Sequence, residues 1–189
     1  MNDSPDEIQR RTMLQMALGV AAGGGAPALA AAQEATTAPA PTGRPGDFEF
    51  LAGEWKIKHQ RLNNGSWDHF EGEATVRSIL GGVGSVEELR IPARNFSGMG
   101  LRLLDVERKL WADHWVNAKS GVLTPPPSWG SFVDGVGTWD SVEEEGGKPV
   151  IWRGVWDRIT PTSCRWWQAR SDDGGRSWKD TWVMQWTRA

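Results

Sequence analysis

The sequence predicts an all-β domain, an antiparallel up-and-down barrel of about ten strands, on three observations. From Phe48 onward apolar residues recur at alternate positions and never hold the i, i+3, i+4, i+7 spacing long enough for a substantial helix. Turn-forming residues interrupt that alternation roughly every ten residues. The chain has 13 Trp and no Tyr, and each indole that leaves water buries about 150–250 Å², enough for a few of them to anchor a core. A meander of so many short strands must hide its edges, and closing on itself does so most simply.

Each element follows from this pattern. Residues 55–62 alternate, and Asn63-Asn64-Gly65-Ser66 supplies the positive φ angles of a tight hairpin. Residues 67–80 form the second strand and stop at Gly81-Gly82. Residues 85–91 and 98–104 are the next two, the latter ending at an Asp105 to Arg108 turn; residues 110–118 follow, and Pro125-Pro126-Pro127 marks a surface loop. Residues 129–133, 137–142, 149–159, 164–170 and 177–187 complete the set. Before the last strand, the octet from Ser171 through Asp173-Gly174-Gly175 to Trp178 fits an Asp-box, a hairpin pinned by Asp and Ser side chains and packed by the Trp. A single copy in so short a chain predicts a structural turn, not a propeller blade.

The first 32 residues read as an export signal. A polar start leads to Arg10-Arg11, then an Ala- and Gly-rich apolar run with small residues at 28–32 suited to signal peptidase, which is the twin-arginine pattern. Gly19, Gly23, Gly24, Gly25 and Pro27 weaken that run as a spanning helix, so no stable membrane anchor is expected. Residues 33–46, mostly Ala, Thr and Pro, are expected to be a disordered linker, and 47–189 the barrel domain. The expected location is periplasmic or secreted, with the twin-arginine translocase as partner during export.

Charge and motifs narrow the function. A net charge of -3, with the cations dispersed, excludes a basic stripe for nucleic acid. Cys164 is the only cysteine, so no internal disulfide forms, and it reads as a small core residue. Nucleophile-elbow, phosphate-loop and dinucleotide motifs are missing. His59, His69 and His114 fall on three predicted strands, and Asp113 and His114 project to opposite faces, so no metal site is expected. No cofactor is predicted; haem on a single His is the remaining alternative. Trp111, Asp113, Trp115 and Asn117 share one face of their strand, a mixture of rings and polar groups suited to a pocket, although parity alone leaves open which face is inward. Arg153 with Asp157, and Trp166 with Gln168 and Arg170, also share faces; a buried Arg needs a carboxylate, for which Glu88 or Asp113 are the nearest choices.

Several blocks in order resemble a family. Phe50-Leu51-Ala52-Gly53-Glu54-Trp55, residues 82–88, 101–105 and 111–115, and the ending from Trp166 through Trp178 to Trp182 are similar to the bacterial domain of unknown function 1579 over nearly the whole of residues 47–189. The resemblance implies a lipocalin-like barrel and carries no established activity. It singles out Trp55, Glu88, Arg102, Trp111, Trp115, Arg153, Trp156, Gln168 and Trp182 as ligand-binding positions, while Lys179 and Thr181 depart from the family's acidic residue and Asn. The opening also resembles haem-binding nitrobindins, which continue with glycines where this chain has Lys56-Ile57-Lys58.

The expected function is therefore a binding barrel for a small apolar or aromatic ligand, with Trp115, Trp156 and Trp182 lining it and Arg153, Glu88 and Gln168 orienting a polar end. The alternative is a lyase, isomerase or hydrolase using the same cavity, with Glu88, Asp113 or His114 as base and Arg153 stabilising an oxyanion.

Overall fold

Every alternating run forms a strand. The computed structural model describes residues 41–123 and 126–189. The strands are β1 (Gly53–Asn63), β2 (Ser66–Ile79), β3 (Gly84–Ile91), β4 (Phe96–Asp105), β5 (Leu110–Asn117), β6 (Ser128–Val133), β7 (Val136–Glu145), β8 (Lys148–Asp157), β9 (Ser163–Ser171) and β10 (Lys179–Arg188). Each pairs antiparallel with its chain neighbours, and β1 pairs with β10, closing the sheet into a barrel without free edges. Helical structure among the described residues is limited to three single 3-10 turns, at Glu49–Leu51, Leu80–Gly82 and Pro92–Arg94.

Most strand ends fall within two residues of the sequence expectation, β7 runs three residues further to Glu145, and two strands are shorter than expected for a local reason. β8 stops at Asp157 because Arg158 turns into the left-handed region, φ 51°. β10 begins at Lys179, since Ser177 and Trp178 belong to the Asp-box. There Asp173 accepts from the backbone N–H of Arg176 and Ser177 and from the Ser177 hydroxyl, Gly175 N–H donates to Ser171 Oγ, and Trp178 Nε1 donates to Gly175 O, so the octet is the pinned hairpin expected of it.

The register turns Trp55, Trp111, Trp115, Trp139, Trp156, Trp166, Trp182 and Trp186 to one face of the sheet, the barrel interior. Rings of that size fit because glycines stand across from them. Trp115 pairs with Gly100, Trp139 with Gly130 and Gly154, and Trp156 with Gly137. A Cβ added to Gly130 or Gly137 would come within 2.6 Å of the Trp139 ring, and one on Gly98 within 2.2 Å of Trp115, so each indole occupies the volume a neighbouring side chain gives up.

One end of the barrel is plugged by the chain entering it. Phe48 and Leu51 are buried, and Phe48 makes edge contacts with Trp111 and Phe132 at centroid distances of 4.9 and 5.1 Å. The indole donors there are matched: Trp55 Nε1 donates to Leu51 O at 2.7 Å, Trp111 Nε1 to Asp47 at 3.0 Å and Trp139 Nε1 to Trp111 O at 3.1 Å. Composition alone assigns 41–46 to a linker, and here the structure differs. Gly43 N–H donates to Lys109 O, Gly46 N–H to Gly82 O, and the Thr42 hydroxyl to Phe132 O, so residues 41–46 belong to the barrel domain. Gly43 makes this possible: a Cβ would sit 2.8 Å from Lys109 O. The export signal and the remainder of the expected linker, residues 1–40, lie outside the described residues.

Cys164 is buried beside this plug, and burial pushes its thiol up to about 12, the behaviour of a packing residue.

Candidate functional site

Away from the plug, several interior-facing side chains stay in contact with solvent. Trp115, Trp166, Trp182, Gln168 and Phe70 face inward yet are only half-buried, and the Asp113 side chain is 26% exposed. Trp111, Trp156 and Trp186, deeper in the same barrel, are at most 2% exposed. Partly accessible rings thus line the interior, a region called the cup below, toward the end that carries the β1–β2, β3–β4 and β9–β10 connections, where Ile91, Asn117 and Val150 are nonetheless buried. The wall is held in place by its own contacts. Trp166 and Trp182 meet edge-on at 5.9 Å, and Trp182 Nε1 donates to His59 Nδ1 at 3.2 Å. His59 in turn stacks on Phe70 at 4.6 Å, with the ring planes 8° apart. Burial, then the nearby Arg94 and Arg61, lower its pKa to about 4, so His59 is neutral at pH 7 and its Nδ1 serves as an acceptor.

A charged pair divides cup from plug. Arg102 Nη2 donates to Glu87 at 2.7 Å with both side chains at most 5% exposed, and Asp113 approaches Arg102 Nε to 3.6 Å. The guanidinium lies 5.1 Å from the Phe48 ring and 5.4 Å from Trp156. Burial opposes the charge on Arg102, but Glu87 and Asp113 more than offset it, and the Arg102 pKa is raised. Burial pushes the Asp113 carboxyl up; Arg102 pulls it back and Glu87 pushes it further up, leaving the net direction upward. Arg102 Nε and Nη1, Ser85 Oγ, Trp156 Nε1 and Trp186 Nε1, all on inward-facing residues, are buried without a hydrogen-bond partner among the described residues.

The residues singled out from sequence fall into two groups. Trp115, Trp182 and Gln168 line the cup; Trp55, Trp111 and Trp156 form the packed layer below it, and Arg102 sits at the divide. Glu88 and Arg153 are corrected: both are on the outer wall. Glu88 accepts from Arg90 at 2.9 Å, and Arg153 forms a two-point pair with Asp140, 2.7 Å at each contact, beneath the Trp178 ring at 4.1 Å. The expected partner of a buried Arg shifts accordingly, to Glu87 with Asp113 as second neighbour, and the buried cation is Arg102. The catalytic candidates do not converge. Asp113 faces inward while Arg153 faces outward, so the sheet stands between them; Glu88 and His114 share the outward face of Arg153 but lie on β3 and β5, strands that do not pair with its β8.

Two surface concavities, of about 360 and 170 Å³, lie on the wall itself. The first is bounded mainly by the outward-facing Lys58, Gln60, His69, Glu71 and Gln185, the second by Glu88, Ser97, Met99 and Val116. Neither is lined by Trp115, Trp166 or Trp182, although His59 and Phe70 border the first.

No family model matches the chain, and no curated protein matches it. The resemblance to domain of unknown function 1579 is thereby corrected, and the family named among the structural neighbours is a different one. The fold is similar to that of a protein of unknown function from the DUF3598 family of Nostoc punctiforme, at 12% identity over 78% of this chain and 51% of that one, TM-score 0.43. It is also similar to an S-type phycobiliprotein lyase from Guillardia theta, at 11% identity over 75% of this chain and 90% of that one, TM-score 0.45. The chain spans about half the length of the Nostoc protein.

Sequence reasoning missed Glu87, His59, Phe70 and Trp166 as site residues. For Glu87 a signal existed: it shares parity with Leu89 and Ile91, whereas Glu88 shares it with Arg90. His59 likewise continues the Trp55 and Ile57 face. The stacking of His59 on Phe70 depends on the hairpin register and has no sequence signature.

Proposed function

We propose that the barrel binds a small, largely aromatic molecule in the cup, stacked against Trp115, Trp166 and Trp182, with Gln168 and Asp113 offering polar contacts. One observation carries this reading: interior-facing rings at the open end keep accessible faces, while the opposite end is sealed by Phe48 and Leu51. Rings that a core had no further use for would be covered, and exposed indoles converging in a concave site suit a planar guest. The Arg10-Arg11 opening supports export of the folded barrel and, with it, a guest met in the periplasm or outside the cell.

Calorimetric and tryptophan-fluorescence titration with 2-methylnaphthalene tests the reading. Saturable binding at one site is expected, weakened roughly three- to tenfold by Trp115→Ala or Trp166→Ala. Lack of saturable binding, or binding indifferent to both substitutions and sensitive to Lys58 or Gln60 on the outer wall, overturns it.

A further inference from the structure

We infer that the cup selects an anion: an aromatic carboxylate whose ring lies against Trp166 and Trp182 and whose charged end pairs with Arg61 at the mouth. The inference deepens the binding reading and rests on it.

Arg61 ends the inward row that begins with Trp55, Ile57 and His59, and the register sets it across from Trp182 on one side and Asp68 on the other. Its guanidinium lies 4.7 Å from the Trp182 ring centroid, half-buried. The carboxylate opposite is already engaged. Asp68 binds Arg94 at 2.6 Å, and Arg94 rests on the Phe70 ring at 3.6 Å. The one carboxylate opposite is thus taken up by Arg94, and among the described residues no acid lies within ion-pair distance of Arg61. Burial, and next Arg94, lower the Arg61 pKa, so its environment penalises a charge that a bound anion would stabilise.

Two of the neighbouring groups do not oppose an anion: His59 is neutral, and Glu87 is paired with Arg102. A carboxylate matches a single guanidinium in charge and can take two parallel N–H donors, whereas a phosphate dianion would leave a negative charge unmatched. The aromatic wall next to Arg61 supplies the rest of the ligand's binding surface.

The test compares 2-naphthoate, 2-methylnaphthalene and 2-naphthylmethylammonium by calorimetry on the full chain. Naphthoate should bind roughly tenfold or more tightly than methylnaphthalene, and the ammonium probe more weakly than either. Arg61→Gln should erase the naphthoate advantage while leaving methylnaphthalene affinity within about twofold, and Arg61→Lys should restore part of it. Asp68→Asn, which frees Arg94, should move the other way and tighten naphthoate several-fold, a gain that a misfolded variant would not produce. Equal affinity for naphthoate and methylnaphthalene, or an advantage that survives Arg61→Gln, overturns the inference and leaves the cup intact as a binding site. If none of the three probes binds, the cup reading falls and the inference with it.

Discussion

Below the Arg102–Glu87 pair the inward-facing tryptophans are covered, and above it Trp115, Trp166 and Trp182 keep partly exposed faces. Trp111 and Trp156 are enclosed by Phe48, Phe132 and their neighbours, with centroid contacts of 4.9 Å for Phe48–Trp111 and 6.0 Å for Phe50–Trp156. Trp115 lies against Gly98 and Trp166 against Gly154, with the cup on their free side. The same side chain therefore stabilises where neighbours close over both faces and is available for recognition where only one face is covered. What separates the two parts is the plug from the N-terminal segment.

Substitutions that break this contrast should do so unequally. Phe48→Ala removes the centre of the plug and should cost about 3–5 kcal/mol in urea denaturation, lowering the midpoint before any effect on ligand is read. Arg102→Met leaves Glu87 buried without its partner and should also cost about 3–5 kcal/mol, whereas Arg102→Met with Glu87→Leu should recover most of it; a double variant no better than the single one would show that the pair does not act as a unit.

The next effect is a pH dependence. His59 titrates near 6.5 when exposed and about 4 when folded, so the unfolded chain takes up the proton first and stability falls as pH drops from about 6.5 to about 4. The expected contribution is about 3 kcal/mol across that window. Asp113 acts in the opposite sense, its raised pKa adding stability as pH falls through its folded value. Comparing urea midpoints of wild type and His59→Gln at pH 7 and pH 4.5 isolates the histidine, and equal pH slopes in the two proteins would rule out this role.

Gly98→Val is smaller in stability and sharper in function. It pushes Trp115 from the wall into the cup, with an expected cost of about 1–3 kcal/mol and a marked loss of 2-methylnaphthalene affinity. Arg153→Ala, on the outer wall, should change stability by less than about 1 kcal/mol and leave binding untouched, because the Arg153–Asp140 pair is exposed to solvent. A binding defect there would place the site outside the barrel.

Strand number and the Asp-box were legible because they are written locally, as period-two alternation and turn residues between Trp55 and Thr187. The inward face was less so. In β3 the apolar Leu89 and Ile91 point to the correct parity, but in β8 both faces mix apolar and polar residues: Val155 is as well buried on the outside as Trp156 on the inside, so Arg153 reads either way. The plug escaped notice because residues 41–46 bury backbone more than side chain. Glycine and proline carry no hydrophobic pattern, yet Gly43 and Gly46 dock through their N–H groups. The pairing of Arg102 with Glu87 depends on two strands meeting across the sheet, which no single strand encodes.

The lone, deeply packed Cys164 has a consequence for where this fold can exist. With one sulfur atom of this kind in the chain and its thiolate strongly disfavoured, there is no crosslink to gain under oxidising conditions and none to lose under reducing ones. The barrel therefore owes none of its stability to a crosslink within the chain, and a change in redox potential neither adds one nor removes one.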